Sequence, residues 1–239
     1  MRPYGPVLLP DSDRAMVTTY DMRGLGLARH IQIWRLSDLT LLQTMPVPPS
    51  PTRQTNIDPF EGRVLADGET IMFETLSCGL YLLTGVGEDA PLLRFVHDFG
   101  SEYCGVPVRI GNYWVQTLEA ETEGGDNGIV VLDVSQPSSP VEVDRISFDG
   151  SFGPHWSSHN LAGTRIVING YYDNLARRTM MLVFDPLTGQ IEIDQAFGEG
   201  DEFGPGLMID RDVWPHGETG PAVAHGAVFW PPAKPDWRN

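Results

Sequence analysis

Lysine is almost missing from this chain: of its 16 basic residues only Lys234 is one, and 32 acidic residues outweigh them to a formal net charge of −16. A surface of that sign repels a phosphate backbone and an anionic leaflet, which argues against nucleic acid as a partner. Cysteine is as scarce. Cys78 and Cys104 stand alone, with no CxxC and no series of paired spacings, so neither a disulfide framework nor a thiolate zinc site is indicated, and both read as small buried groups. No apolar run approaches the roughly 18 residues of a membrane span. The only early apolar run, Val7-Leu8-Leu9, is too short for the core of a signal peptide. The chain as written is therefore expected to be cytoplasmic, or periplasmic if its N-terminus is incomplete. Gly-x-Ser-x-Gly, P-loop and His-Glu-x-x-His motifs are absent, which removes the support for familiar hydrolase and nucleotide chemistries.

Helical periodicity is missing too, and 26 Gly with 20 Pro suit a chain that turns often. What fills the sequence is a strand pattern of about fifty residues that recurs four times, over Ile31 to Val47, Leu80 to Phe99, Ile129 to Phe148 and Met180 to Phe197. Its turns bring Arg35, Thr84, Asp133 and Asp185 into register at separations of 49, 49 and 52. In the first copy Val7 to Leu9, Ala15 to Tyr20, Ile31 to Leu36 and Leu41 to Val47 read as strands. The third gives Tyr113 to Leu118, Ile129 to Val134 and Val141 to Phe148; the fourth gives Arg165 to Asn169, Met180 to Phe184 and Ile191 to Ile193. Turn residues separate them each time, as at Ser37-Asp38, Gln136-Pro137-Ser138 and Asp185 to Gly189.

One such unit cannot bury its own apolar faces, so the pattern predicts an all-β array of stacked sheets, a β-propeller. Residues 1–230 form that domain, with repeats at roughly 3–50, 52–100, 101–150, 151–200 and 201–230, and 231–239 form a polar tail. Propellers typically have about four to eight blades. Some five here mean a small closed ring, an incomplete seven-bladed one, or a homodimer joined through sheet edges.

The segments Ile31-Gln32-Ile33-Trp34 with Leu41-Leu42-Gln43-Thr44, Ile129 to Pro137 with Ser139-Pro140, and Gly220-Pro221-Ala222-Val223-Ala224-His225 occur in an order that resembles the C-terminal part of the selenium-binding protein and methanethiol oxidase family. The resemblance implies a seven-bladed propeller with a copper site near its channel, oxidising methanethiol to formaldehyde, hydrogen sulfide and hydrogen peroxide. The family's N-terminal paired-histidine motif has no counterpart here, so only His225 carries over from its copper site.

Other histidines stand where repeats begin. Gly153-Pro154-His155-Trp156 opens the fourth and Trp214-Pro215-His216-Gly217 the fifth. The start of each inner strand of a propeller lies near the axis, so His155, His216 and His225 are expected to converge, and imidazoles from neighbouring blades suit copper. His159 and Cys104 are additional candidate ligands, and a small thiol is the expected substrate. No catalytic residue is singled out. Each of these has a bland counterpart as a buried group bonded to a loop, and His30 and His97 read as ordinary strand residues. Glu74, Glu119, Glu121, Asp126, Asp173 and Asp210 fall at or just after inner strands, where a ring of oxygens would hold calcium, as in propeller lactonases. Solvated acids are the plainer expectation for them, and packing explains Trp114, Trp156, Trp214 and Trp230.

Overall fold

The run Ile129-Val130-Val131-Leu132 is apolar at every position, which suits a strand buried on both faces. The computed structural model describes residues 2–21, 28–51, 57–88, 90–120, 125–148, 152–171, 178–198, 204–208, 211–213, 217, 219–220 and 222–230, and all four of these side chains are fully buried in it. Acidic and basic residues interrupt Val141–Phe148, and this strand lies largely exposed at the edge of the same sheet.

Four antiparallel meanders carry the fold. The first joins β1 (Pro3–Leu9), β2 (Arg14–Thr19), β3 (His30–Arg35) and β4 (Leu41–Pro46) in chain order, and the second joins β5 (Pro59–Val64), β6 (Ile71–Thr75), β7 (Gly79–Thr84) and β8 (Leu92–Asp98). After the short β9 (Tyr103–Cys104), the third contains β10 (Val108–Ile110), β11 (Tyr113–Glu119), β12 (Asn127–Asp133) and β13 (Val141–Phe148). The fourth contains β14 (Pro154–His159), β15 (Arg165–Gly170), β16 (Arg178–Phe184) and β17 (Ile191–Ile193), with β18 (Leu207–Met208) also on β16; β19 (Arg211–Val213) pairs with β20 (Thr219–Gly220). A single 3-10 turn, Pro10–Ser12, is the only helical element among the described residues, and no helix there is long and apolar enough to cross a membrane. Strands expected at Val141 to Phe148 and Ile191 to Ile193 form with those bounds, and most others shift by one or two residues.

Two compact units divide the chain. One holds the described residues of Met1–Cys104 and Val134–Pro140, the other those of Gly105–Asp133 and Val141–Ala233. Each has its own apolar core between two sheets. In the first unit Val7, Leu9, Met16 and Ile31 meet Val64, Ile71 and Phe73; in the second Val115, Ile129 and Val131 meet Ile166, Ile168 and Leu182. One hydroxyl stitches each pair of sheets. Thr18 Oγ1 donates to the carbonyl of Phe60 at 2.6 Å, and Thr117 Oγ1 donates to that of His155 at 3.2 Å.

The cysteines correct the sequence reading. Cys78 and Cys104 are joined in a disulfide, with their Cα atoms 5.0 Å apart, so Cys104 offers no thiolate to a metal. The turn after β6 reaches back to β9, where the Cys104 amide donates to the Leu76 carbonyl at 3.0 Å, and this hydrogen bond brings the two residues together across 26 positions of chain. A loop of that length is worth about 3–4 kcal/mol of unfolded-state entropy. Replacing both cysteines by Ala is expected to lower the unfolding free energy by about 2–5 kcal/mol, seen as a lower urea midpoint; an unchanged midpoint would contradict the bond.

Glu74 is a second departure, since it is wholly buried rather than solvated. Its Oε1 accepts the Glu61 backbone N–H at 3.1 Å, and burial, then the Glu61 charge, hold its carboxyl well above the usual range. The folded chain therefore binds a proton that the unfolded chain releases first, and stability present below the ordinary value of 4.5 is lost as pH rises through the folded-state value. Glu74→Gln is expected to remove that loss, so melting curves of the variant and the wild type should diverge on the alkaline side, with the variant higher.

Candidate functional site

His155 owes its direction to a bulge. Pro154 pairs with Gly170 but Trp156 pairs with Asn169, so the residue between them falls out of register, and an extra residue of this kind re-aims its side chain. The His155 carbonyl accepts from the Val106 amide at 2.6 Å and from Thr117 Oγ1 at 3.2 Å, and the residue is only 9% exposed. Its Nδ1 and Glu119 Oε1 are hydrogen-bonded at 2.7 Å. Glu119 closes β11 and is 1% exposed.

The other ring nitrogen faces a second histidine. His155 Nε2 and His225 Nε2 lie 3.2 Å apart, and the rings are nearly parallel at 17° with centroids 5.2 Å apart. His225 comes from residues 222–230, which have no regular secondary structure. Tyr171 stacks on His155 with centroids 4.9 Å apart and lies tilted at 41° to His225 at 4.7 Å, and Trp156 meets His225 edge-on at 5.8 Å. Next along the chain, Gly226 sits so close to the Trp156 indole that a Cβ there would lie 3.0 Å from Cδ2 and Cε2.

Two of the three expected histidines thus converge within one unit. His216 lies outside the described residues, as do Trp214, Glu121, Asp173 and Asp210. His159 does not join the pair: it ends β14 four residues on, roughly 13 Å along an extended strand, where its Nδ1 contacts the Asn160 carbonyl at 2.8 Å. Cys104 is excluded by its disulfide. The expected carboxylate ring does not assemble from Glu119 and Asp126, because Glu119 is bonded to His155 while Asp126 meets Arg145 at 2.5 Å. His30 is half-buried at the start of β3, and His97 packs its ring edge-on to Phe99. Glu119 and Tyr171 escaped the sequence reading as partners of an imidazole. The signal for Glu119 was its place at a strand end, which was read as one member of an oxygen cage.

The residues present fit two-nitrogen ligation of a metal. Nitrogens bound to one ion at about 2.0–2.1 Å each stand roughly 3–3.5 Å apart when they subtend a near-tetrahedral angle, and the observed separation falls in that range. A carboxylate on the far nitrogen of a ligating imidazole is the usual outer-shell arrangement. Among the described residues no group of three or more His, Cys, Asp or Glu side chains is arranged to hold an ion.

No protein-family model matches the chain, and no curated protein does. Solved structures do. A "putative 6-phosphogluconolactonase" from Bacteroides uniformis superposes with a TM-score of 0.60 at 13% identity, over 80% of this chain and 53% of the other. The Cps50 (Swd1) β-propeller domain of Myceliophteria thermophila gives 0.55 at 10% identity, over 83% and 59%. The fold is a β-propeller. The chain spans little more than half the length of these propellers, and at such identities the likeness concerns the fold alone.

Burial, then the charge of His155, lowers the pKa of His225 below the ordinary 6.5. The unfolded chain therefore takes up a proton here before the folded propeller does, and stability present above 6.5 is lost as pH falls from that value through the folded one. His225→Phe is expected to flatten this acid limb in melting temperature against pH. A variant as acid-sensitive as the wild type would place the responsible group elsewhere.

Proposed function

We propose that this chain is a metal-bearing β-propeller oxidoreductase related to selenium-binding proteins and methanethiol oxidases, in which His155 and His225 hold copper and a small thiol is the substrate. One observation carries the reading: two Nε2 atoms meet at 3.2 Å, and one of the two rings is fixed by a buried carboxylate. The family resemblance supports it from sequence, because His225 is the residue of the terminal Gly-Pro-Ala-x-Ala-His segment that carries over.

Copper, when bound, supplies the one-electron chemistry that links a thiol to dioxygen. The overall change balances as methanethiol, dioxygen and water giving formaldehyde, hydrogen sulfide and hydrogen peroxide, with two electrons leaving the substrate and two reducing oxygen. The chain's own residues prepare the place. His155, locked by its carbonyl and by Glu119, gives a fixed nitrogen; His225 gives a second from a segment outside the sheets. Tyr171 packs against His155 and Trp156 against His225, and they cover the pair only in part, since His225 and Tyr171 remain exposed. The buried Cys78–Cys104 disulfide supports an oxidising compartment, the periplasmic alternative.

Protein purified without chelator is expected to carry about one copper per chain, and His155→Ala or His225→Ala to weaken copper binding by more than the roughly 10–100-fold that loss of an outer-shell partner costs. Methanethiol-dependent release of hydrogen peroxide should fall with it. Wild-type protein that takes up no copper from an equimolar solution would overturn the reading and leave a non-catalytic propeller that binds a small molecule or protein. A second reading draws on the likeness to the "putative 6-phosphogluconolactonase" structures. A carboxylate-oriented imidazole is also the arrangement of a general base acting on water. Ester or lactone hydrolysis that survives chelators and disappears in His155→Ala would favour it.

A further inference from the structure

We infer that Glu119 is a positioning residue, which places the proton of neutral His155 on Nδ1 and so presents the Nε2 lone pair to whatever the His155–His225 pair binds. An unconstrained neutral imidazole favours its proton on Nε2, which would block that lone pair, and the hydrogen bond made by one ring nitrogen decides the state of the other. An ionised Glu119 carboxylate 2.7 Å from Nδ1 accepts and does not donate, which places the proton on Nδ1.

The surroundings are built for this contact. Gly105 lies where β11 and β14 approach, and a Cβ there would collide with the His155 carbonyl and Glu119 Oε1 and lie 2.7 Å from Thr117 Oγ1. Its amide donates to the Thr117 carbonyl at 3.1 Å, and its carbonyl accepts from Gln116 Nε2 at 2.7 Å, so the glycine is tied to the strand that ends in Glu119. Just beyond Glu119, the Asn127 side chain accepts the Ala120 amide at 2.9 Å and donates to the Ala120 carbonyl at 3.2 Å, which pins the end of β11. The stretches of backbone that carry the carboxylate and the imidazole are thus each tied down by hydrogen bonds beside the contact. A buried carboxylate is costly unless a hydrogen-bond partner offsets its lost hydration, and the His155 imidazole is such a partner.

The metal-affinity part of the test rests on the proposed copper site; the tautomer part does not. Long-range proton–nitrogen spectra of metal-free protein at alkaline pH are expected to show His155 as the Nδ1–H tautomer, and Glu119→Leu to move it to Nε2–H. Copper titrated into Glu119→Leu should bind about 10–100-fold more weakly than to wild type. Should that variant not fold, Glu119→Gln keeps the volume without the charge and is expected to bind copper about tenfold more weakly, with its melting temperature showing an intact fold. Three results would overturn the assignment: an Nε2–H tautomer in the wild type, a tautomer unmoved in Glu119→Leu, or wild-type copper affinity in the folded Glu119 variants while His225→Ala loses it. A wild type that binds no copper would strike the proposed function alone, and the tautomer would still decide the role of Glu119.

Discussion

Neither face of a four-stranded sheet in this chain is polar enough to be left in water, and burying those faces against the next sheet of the same unit is the constraint on which everything else depends. It explains why β6, β7 and β12 are buried almost from end to end while β4, β8 and β13 are half-buried or exposed along their length. It also explains why polar side chains that must be indoors gather at strand ends. There the ladders stop, and the stitching hydroxyls Thr18 and Thr117 find carbonyls of the neighbouring sheet. A bulge at such a place costs little ladder bonding and can re-aim a side chain, which is how His155 comes to face His225 and not a strand neighbour.

The two units offer an internal control. Pro3 pairs with Thr19 in the first sheet as Pro154 pairs with Gly170 in the fourth, so Tyr4 corresponds to His155 and Tyr20 to Tyr171. In the first unit Tyr4, Tyr20 and Phe60 form a three-ring cluster with centroids 4.8 to 5.6 Å apart. In the second His155, Tyr171 and His225 do the same at 4.7 to 5.2 Å. Phenyl and phenol rings therefore satisfy the packing need of this place on their own. Imidazoles pack less favourably and bring nitrogen atoms that need partners, so a structural role accounts for the cluster but not for its chemistry.

Much of the architecture was legible because strand, turn and period agree in the third and fourth copies: Val141 to Phe148 alternates, Asp185 to Gly189 has the residues its turn requires, and the fifty-residue spacing ties them together. β5 and β6 were harder. Pro59, Glu61 and Gly62 break the alternation of β5, and Gly62 is there because a Cβ would meet Val7 and Met16 across the core at 2.9 and 3.0 Å, a tertiary reason with no local signature. The disulfide was missed for a related cause: spacing rules suit frameworks of several bridges, and a single bond between a turn and the next short strand follows no such rule. The convergence of His155 with His225 was readable from two signals together, the place of His155 where a repeat begins and the family resemblance of the segment that carries His225, which itself has no regular secondary structure. The partner on the opposite nitrogen was not, because Glu119 lies 36 residues from His155 and only the close approach at Gly105 brings them together.

Glu74 and Glu119 show how two equally buried carboxyls come to different ends. Burial and the nearby Glu61 charge outweigh the backbone amide that Glu74 receives, so its environment rewards the neutral acid and the group serves the fold. Glu119 receives an imidazole N–H, a donor that can itself take up charge when its other nitrogen takes part in chemistry. Burial is common to both, and sequence position at the end of an inner strand is common to both. What separates them is whether the nearest polar neighbour can answer a change of charge. A backbone amide cannot and a histidine can, and that difference sets the buried carboxyl of the second unit apart from that of the first.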